Sequence, residues 1–139
     1  MNHYSMNEIK EKLGLSASTL RYYEKEQLIP AINRDSSGNR SYTDTDIEWI
    51  TFIKTLRDTD MPIRVIKEYV VMFQEGADTI TARKELMAAH AEKVQQEIDQ
   101  KLASLKVLQK KVKYYDTIDR RKQRLSERVF HTQKNSSHT

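Results

Sequence analysis

Apolar residues recur at helical spacing along most of this chain, and the breaks in that spacing divide it into elements. Met6, Ile9 and Leu13 fall on one side of a first helix. The capping box Ser5-Met-Asn-Glu8 opens it, and Gly14 closes it as a natural left-handed cap. Ser16 caps a second helix that runs to about Glu26, with Ala17, Leu20, Tyr23 and then Leu28 broadly on its inner side. Leu28-Ile-Pro30 ends helical structure there. Between Arg34 and Tyr42 the turn signal Ser36-Ser-Gly-Asn39 separates two short extended pieces, which predicts a small hairpin. Thr43-Asp-Thr-Asp46 caps a third helix with an apolar stripe of Trp49, Phe52, Ile53 and Leu56. Asp60 takes the cap position after it, because Asp tolerates positive φ better than most residues. Pro62 is expected as the first residue of a fourth helix, with Ile63, Ile66, Val70 and Phe73 as its buried face and Gly76 as its end.

From about Thr79 to Ile118 there is neither Gly nor Pro, and a helix of that length spans roughly 60 Å. Ala91, Val94, Ile98, Leu105, Leu108, Val112 and Tyr115 follow alternating steps of three and four residues, with Lys101 breaking one position. That spacing is a coiled-coil seam. Beyond it, Arg120-Arg-Lys-Gln-Arg124 is basic, and the segment to Arg128 reads as a solvated helix end rather than a second nucleic-acid site. Residues after about Thr132 have the composition of a disordered tail. The expected organisation is a head over 1–75, a hinge over 76–80, a coiled-coil helix over 81–122, and a basic, polar, partly disordered tail over 123–139.

Bulk properties narrow the classes. A chain of 139 residues suits one small domain and an extended element. Three Gly and two Pro argue against a loop-rich β fold. The net charge of +4 conceals an asymmetry. Residues 1–78 carry 10 Lys/Arg against 13 Asp/Glu, and residues 79–139 carry 14 against 7. A role in binding nucleic acid therefore rests on where the basic groups sit, not on their sum. The absence of cysteine excludes disulfides, thiolate metal sites and thiol redox sensing. No signal pattern or membrane-length apolar run is present, so a cytoplasmic location is expected, with no membrane partner. His3, His90, His131 and His138 are scattered and predict no metal site. No nucleophile–base set or phosphate loop appears, so neither an enzyme nor a cofactor is expected.

The second helix carries the candidate chemistry. Ser18, Arg21, Tyr22 and Lys25 are spaced i, i+3, i+4, i+7 and share a face, with Ser16 and Thr19 beside them at the helix start. Arginine forks onto guanine or phosphate, and Ser, Thr, Tyr and Lys suit phosphates and base edges. The adjacent tyrosines lie about 100° apart on a helix, which assigns Tyr22 to DNA and Tyr23 to the core. Taken alone, such a face is an ordinary solvated one; the short helix and glycine turn before it, and the hairpin after it, favour a helix that lies in a DNA groove. In the hairpin, Arg40 and Tyr42 share one face and Arg34 flanks the turn, as in a wing that follows a groove or backbone. Met72, Phe73 and Met87 read as hinge packing, with a pocket against a partner's coil as the alternative.

Several of these motifs fall in a familiar order: Leu20-Arg-Tyr-Tyr-Glu24, Leu28-Ile-Pro30, Arg34 with Gly38-Asn-Arg40-Ser-Tyr42-Thr43, Asp46-Ile47, and Ile53-Lys-Thr-Leu-Arg57 with Met61-Pro-Ile63. Over roughly residues 4–74 the chain resembles the DNA-binding head of MerR-family transcription regulators. The resemblance implies a mainly α fold, with a winged helix-turn-helix head followed by a long antiparallel coiled-coil dimerisation helix. It also implies a second wing in which Arg57 and Met61 match positions that contact the DNA backbone. It implies homodimers on a pseudo-palindromic promoter operator, and activation by bending and untwisting the DNA so that RNA polymerase meets realigned promoter elements. Asp60 stands where the family usually has glycine. The stretch from Trp49 to Ile63 resembles a subgroup of aldehyde and thiol-stress sensors that carry cysteine where this chain has Thr55, so the electrophile-sensing thiol is absent. The expected DNA contacts are thus Ser16, Ser18, Thr19, Arg21, Tyr22, Lys25, Arg34, Arg40, Tyr42, Arg57 and Met61, and the expected dimer contacts Val94, Ile98, Leu105, Leu108, Val112 and Tyr115. The sequence points to no particular small-molecule effector. The alternative is a coiled-coil architectural protein that bends DNA without a signal.

Overall fold

The structure, a computed structural model, describes residues 2–136, with side chains described through residue 129. In order, the elements are β1 (His3–Tyr4), α1 (Met6–Leu13), α2 (Ala17–Lys25), β2 (Asn33–Arg34), β3 (Arg40–Thr43), α3 (Asp44–Asp58), α4 (Ile63–Glu75), a 3₁₀ turn (Ala77–Thr79) and α5 (Ile80–Ser136). The chain divides into a unit ending at Ala91 and another beginning at Glu92. The head unit therefore takes in the first turns of α5, beyond the boundary at residue 75 expected from sequence.

The helix starts follow from side-chain chemistry. The expected capping box of Ser5 with Glu8 forms at α1, the expected cap at Thr43 also proves to be a box, with Asp46, and Ser16 caps α2 by accepting the Thr19 N–H. Each satisfies backbone donors that a helix start leaves without partners. α4 begins differently. Pro62 is its N-cap, at φ −59° and ψ 145°, rather than its first helical residue, and no side chain caps it.

Two helix exits share one motif. After α2, Gln27 has φ 59°, its N–H bonds the Glu24 carbonyl at 3.1 Å, and the Leu28 N–H bonds the Tyr23 carbonyl at 2.9 Å. After α3, Asp60 has φ 65°, its N–H bonds the Arg57 carbonyl at 3.0 Å, and the Met61 N–H bonds the Leu56 carbonyl at 2.9 Å. This is the Schellman pattern, and the residue after each left-handed position is apolar and buried. The left-handed residue at α3 was legible in the sequence; the one at Gln27 was not, since glutamine carries no such signal.

The core collects Ile9, Leu20, Tyr23, Leu28, Ile29, Ile32, Ile50, Ile53, Leu56, Ile66 and Val70. It also contains two residues that the sequence reading placed on DNA. Tyr42 is 1% exposed and Met61 2%, so both are core residues. Tyr42 shares the strand face of Arg40, but its ring turns into the head, and Met61 is the buried residue of the second Schellman motif. On α4, Ile66 and Val70 are buried, while Phe73 at the end of that face is 48% exposed and packs one side against Trp49, with ring centres 4.7 Å apart.

The hairpin forms as predicted, with Asn33 opposite Ser41 and Arg34 opposite Arg40, around a turn in which Gly38 has φ 82°. A third strand was not expected. β1 pairs antiparallel with β3 and gives the order β1-β3-β2. Two residues are too few to show an alternating pattern.

At the exit of α4, the Thr79 hydroxyl donates to the carbonyls of Met72 (2.5 Å) or Gly76 (2.8 Å). Arg83 donates to the Thr79 oxygen at 3.0 Å and the Gly76 carbonyl at 3.1 Å, with its guanidinium 5.2 Å from the Phe73 ring centre. Met87 packs on the core, as hinge packing requires. In the second unit, α5 continues past residue 122 and is helical through Ser136, where a partly disordered tail was expected; the remainder of that tail lies outside the described residues. Ile98, Leu105, Leu108, Val112 and Tyr115 all stand exposed on the single chain, and the apolar positions continue to Ile118, Leu125 and Val129.

Two outcomes follow for stability. Gln27→Gly and Asp60→Gly should each stabilise the head by about 1 kcal/mol, because glycine pays no Cβ penalty in the left-handed region. Urea unfolding checks this; unchanged or lowered midpoints would remove strain from these positions. Met61→Ala should cost about 2–5 kcal/mol of stability as a core truncation, with any loss of DNA binding disappearing at temperatures where the variant is fully folded. A folded variant that still binds poorly would return Met61 to the interface.

Candidate nucleic-acid interface

The outer face of α2 begins at an unneutralised helix end, with no acidic residue in the first turn. The partial positive charge of that terminus favours an anion such as phosphate. Hydroxyls gather there: Ser16 Oγ lies 3.0 Å from Ser18 Oγ and 2.8 Å from Thr19 Oγ1. Ser16 and Ser18 are exposed, and Thr19 is half-buried. Along the same face Arg21, Tyr22 and Lys25 are exposed, with Arg21 Nε donating to the Ala17 carbonyl at 3.3 Å. Tyr22 is 44% exposed and Tyr23 5%, the outward and inward placement expected from their angular separation. Burial raises the pKa of the Tyr23 phenol, an effect that the nearby Arg57 cation opposes. Burial likewise raises that of Tyr42, so both phenols stay neutral in the physiological range.

The wing supplies a second set of donors. Asp35 organises its tip by accepting from the Ser37 N–H at 2.9 Å and the Asn39 N–H at 3.0 Å. Arg34 crosses the turn to the Gly38 carbonyl at 2.8 Å. Arg40 Nε donates to Glu24 Oε2 at 2.8 Å, which ties β3 to α2. Between β1, the start of α1 and the wing lies a groove of about 850 Å³. Asn7, Asn33, Arg34, Asn39 and Arg40 line it, and Asp35 is its one carboxylate. His3 Nδ1 reaches Ser41 Oγ at 3.2 Å on its outer edge.

The structure thus joins the α2 face and the wing through a direct side-chain contact. Arg57 lies in the last turn of α3, where it is exposed and donates to the Met61 carbonyl at 2.8 Å. Thr55, which stands where the resemblance to thiol-stress sensors implies a cysteine, is exposed and donates to the Thr51 carbonyl at 2.9 Å. Glu24 escaped the sequence reading. As a carboxylate beside a basic face it looked like a solvated helix charge. Only the hairpin's return to α2, a long-range contact, shows otherwise.

Comparison with known proteins agrees with this geometry. Residues 4–71 match the MerR HTH family of regulatory proteins, and residues 47–111 match the MerR DNA-binding family. The chain is 44% identical over 81 residues to the HTH-type transcriptional regulator AdhR of Bacillus subtilis, a match spanning 58% of each protein. It is 36% identical over 112 residues to an uncharacterized HTH-type transcriptional regulator of Haemophilus influenzae, covering 81% of this chain and 83% of that one. Among solved structures it is similar to HiNmlR, described as a MerR family regulator lacking the sensor domain, bound to promoter DNA. That likeness has a TM-score of 0.80 at 35% identity and covers 83% of this chain and 87% of HiNmlR. A MerR family regulator from Listeria monocytogenes superposes with a TM-score of 0.73 at 37% identity, covering 82% and 86%. With its winged head, its ordered motifs and these relatives, the chain belongs to the MerR family of helix-turn-helix regulators.

Proposed function

We propose that this protein is a homodimeric transcription regulator that binds a pseudo-palindromic promoter operator and acts on RNA polymerase by distorting the DNA between promoter elements. The observation that carries this reading is the joining of an exposed Ser/Arg/Tyr/Lys face on α2 to a donor-lined wing. HiNmlR, similar over most of the chain, was crystallised on promoter DNA. In this reading Arg21, Tyr22 and Lys25 enter the groove. Ser16, Ser18 and Thr19 hold a phosphate at the helix start, and Arg34, Arg40 and Arg57 grip the backbone. Tyr42 and Met61 support the interface from beneath. Residues 81–122 pair with a second copy along Val94, Ile98, Leu105, Leu108, Val112 and Tyr115. No helix among the described residues is long and apolar enough to cross a membrane; a promoter-binding role places the protein in the cytoplasm.

Gel shifts on the protein's own upstream region, followed by transcription with RNA polymerase, test the whole reading. A defined operator and altered transcript levels are expected. Binding and bending without any transcriptional effect would favour an architectural role. Arg21→Ala should weaken operator binding by about 1–3 kcal/mol if Arg21 reads a base, or flatten the salt dependence by roughly one phosphate if it grips the backbone. Unchanged affinity in a folded variant removes Arg21 from the interface.

Dimerisation generates a separate outcome. Leu105→Glu with Leu108→Glu should convert a dimer into a monomer at micromolar concentration, because carboxylates would have to be buried in the seam. Lys101→Leu should keep or strengthen the dimer, since a seam charge costs stability. Sedimentation equilibrium decides both; a dimeric double variant would place the pairing surface elsewhere.

A further inference from the structure

Glu24 sits between the two elements that the proposed function places on DNA. Its Oε2 accepts from Arg40 Nε on β3 at 2.8 Å, and its Oε1 accepts from the Ile32 N–H at 3.3 Å, just ahead of β2. Both side chains of the ion pair are only 22% exposed, which shields the contact from solvent and counterions. Each carboxylate oxygen thus holds a different part of the wing against the recognition helix. The contact takes Nε of Arg40 and leaves its two Nη groups for an anion. A guanidinium fixed on one edge is preorganised for a forked bond to phosphate.

We propose that Glu24 is a positioning residue for DNA binding: it clamps the wing to α2 and aims Arg40 at the DNA backbone. This rests on the DNA-binding reading above. The clamp predicts an effect of unusual sign. An acidic residue near DNA opposes binding, so removing its charge ordinarily strengthens the complex. If Glu24 positions the wing, removing its charge weakens the complex. Glutamine makes this test sharp. It has the same shape, but where the carboxylate turns one oxygen to Ile32 and the other to Arg40, the amide has an oxygen for only one of them and an NH₂ for the other. Whichever donor keeps the glutamine oxygen, the other meets the amide NH₂ as donor against donor, and the Arg40 contact loses its opposite charge in either case, so the wing is no longer held at both points.

The test uses the full chain with wild-type protein, Glu24→Gln, Arg40→Lys and the double variant, measuring operator affinity over a range of salt and thermal midpoints for each. Glu24→Gln should bind about tenfold more weakly, with a salt slope shallower by about 0.9 for the lost phosphate. Arg40→Lys keeps the charge but cannot hold Glu24 and fork onto phosphate together, so it should lose a similar factor. The double variant should lose no more than either alone, because both break one unit. Tighter binding by Glu24→Gln, or an unchanged salt slope, would overturn the clamp. If Glu24→Gln fails to fold, Arg40→Lys decides: wild-type affinity in that variant overturns the proposal. A wild-type chain without operator affinity would instead sink the DNA-binding reading itself, and is thereby distinguished from failure of the clamp.

Discussion

After α2 and again after α3, the chain must leave a helix, satisfy its last carbonyls and drop an apolar side chain into the core within a few residues. Both exits solve this with one left-handed residue, Gln27 or Asp60, followed by a buried one, Leu28 or Met61. A non-glycine residue in that conformation costs about 1–2 kcal/mol. Burying the following side chain contributes about 1.5–3 kcal/mol, and the two backbone hydrogen bonds add to it. Burial therefore wins at both sites. The rest of the head depends on the result. Leu28 brings its carbonyl under Trp49, whose Nε1 donates to it at 2.7 Å, and this ties the exit of α2 to α3. The chain is then directed through Ile29 and Ile32 into the wing, so the angle at which the wing leaves α2 is set first by a backbone turn and then by the Glu24 contact.

The acidic balance of the head looks unpromising for binding DNA until its carboxylates are followed to their partners. Glu8 and Asp46 receive backbone N–H groups in capping boxes, and Asp35 receives two in the wing tip. Asp58 pairs with Lys54 at 2.6 Å and Glu24 with Arg40 at 2.8 Å. Glu26 pairs with Lys67 at 2.6 Å, which lowers the pKa of Glu26 and raises that of Lys67. These acids order the framework rather than form one negative surface. Salt screens separated surface charges, whereas fixed groups a few ångströms from a phosphate act at short range. Placement thus outweighs the sum, and the basic groups most useful for contact are themselves held. Arg34 and Arg57 each donate to a backbone carbonyl four residues on, which restricts their side chains and would lower the entropy lost on binding an anion.

Local chemistry made much of this fold legible. Ser5, Ser16 and Thr43 mark helix starts because capping uses residues within one turn, and Gly14 and Asp60 mark exits because few residues tolerate positive φ. What failed was whatever depends on a long-range contact. Tyr42 and Arg40 share a strand face in the alternation, yet one is core and the other bridges to α2; period alone cannot say which side a two-sided wing packs. Met61 looked like a surface contact because the family's motif carried it, but the turn geometry sends it inward. β1 was missed for its brevity, and Glu24 because its partner lies sixteen residues away. The candidate site was therefore readable where a helix face defines it and obscure where two elements meet.

The long helix poses the opposite problem, since its pattern was plain and its partner is not in the same chain. A helix of 57 residues with Ile98, Leu105, Leu108, Val112 and Tyr115 in one spaced series cannot bury that series by itself. Exposed apolar surface of this extent on a folded chain marks a surface made for association. The seam's irregularity is informative. From Tyr115 to Ile118 the step is three residues following another step of three, so the stripe changes register there before continuing to Leu125 and Val129. Such a shift locally overwinds a coil, and an antiparallel pair would meet it twice, at symmetry-related places. The first turns of α5 pack with the head, through Met87 on the core and the 2.7 Å contact between His90 Nε2 and Thr59 Oγ1. Thr59 is the residue just before Asp60, at the very exit where Arg57 is held. The helix that carries the apolar stripe thus starts within the packing of the head.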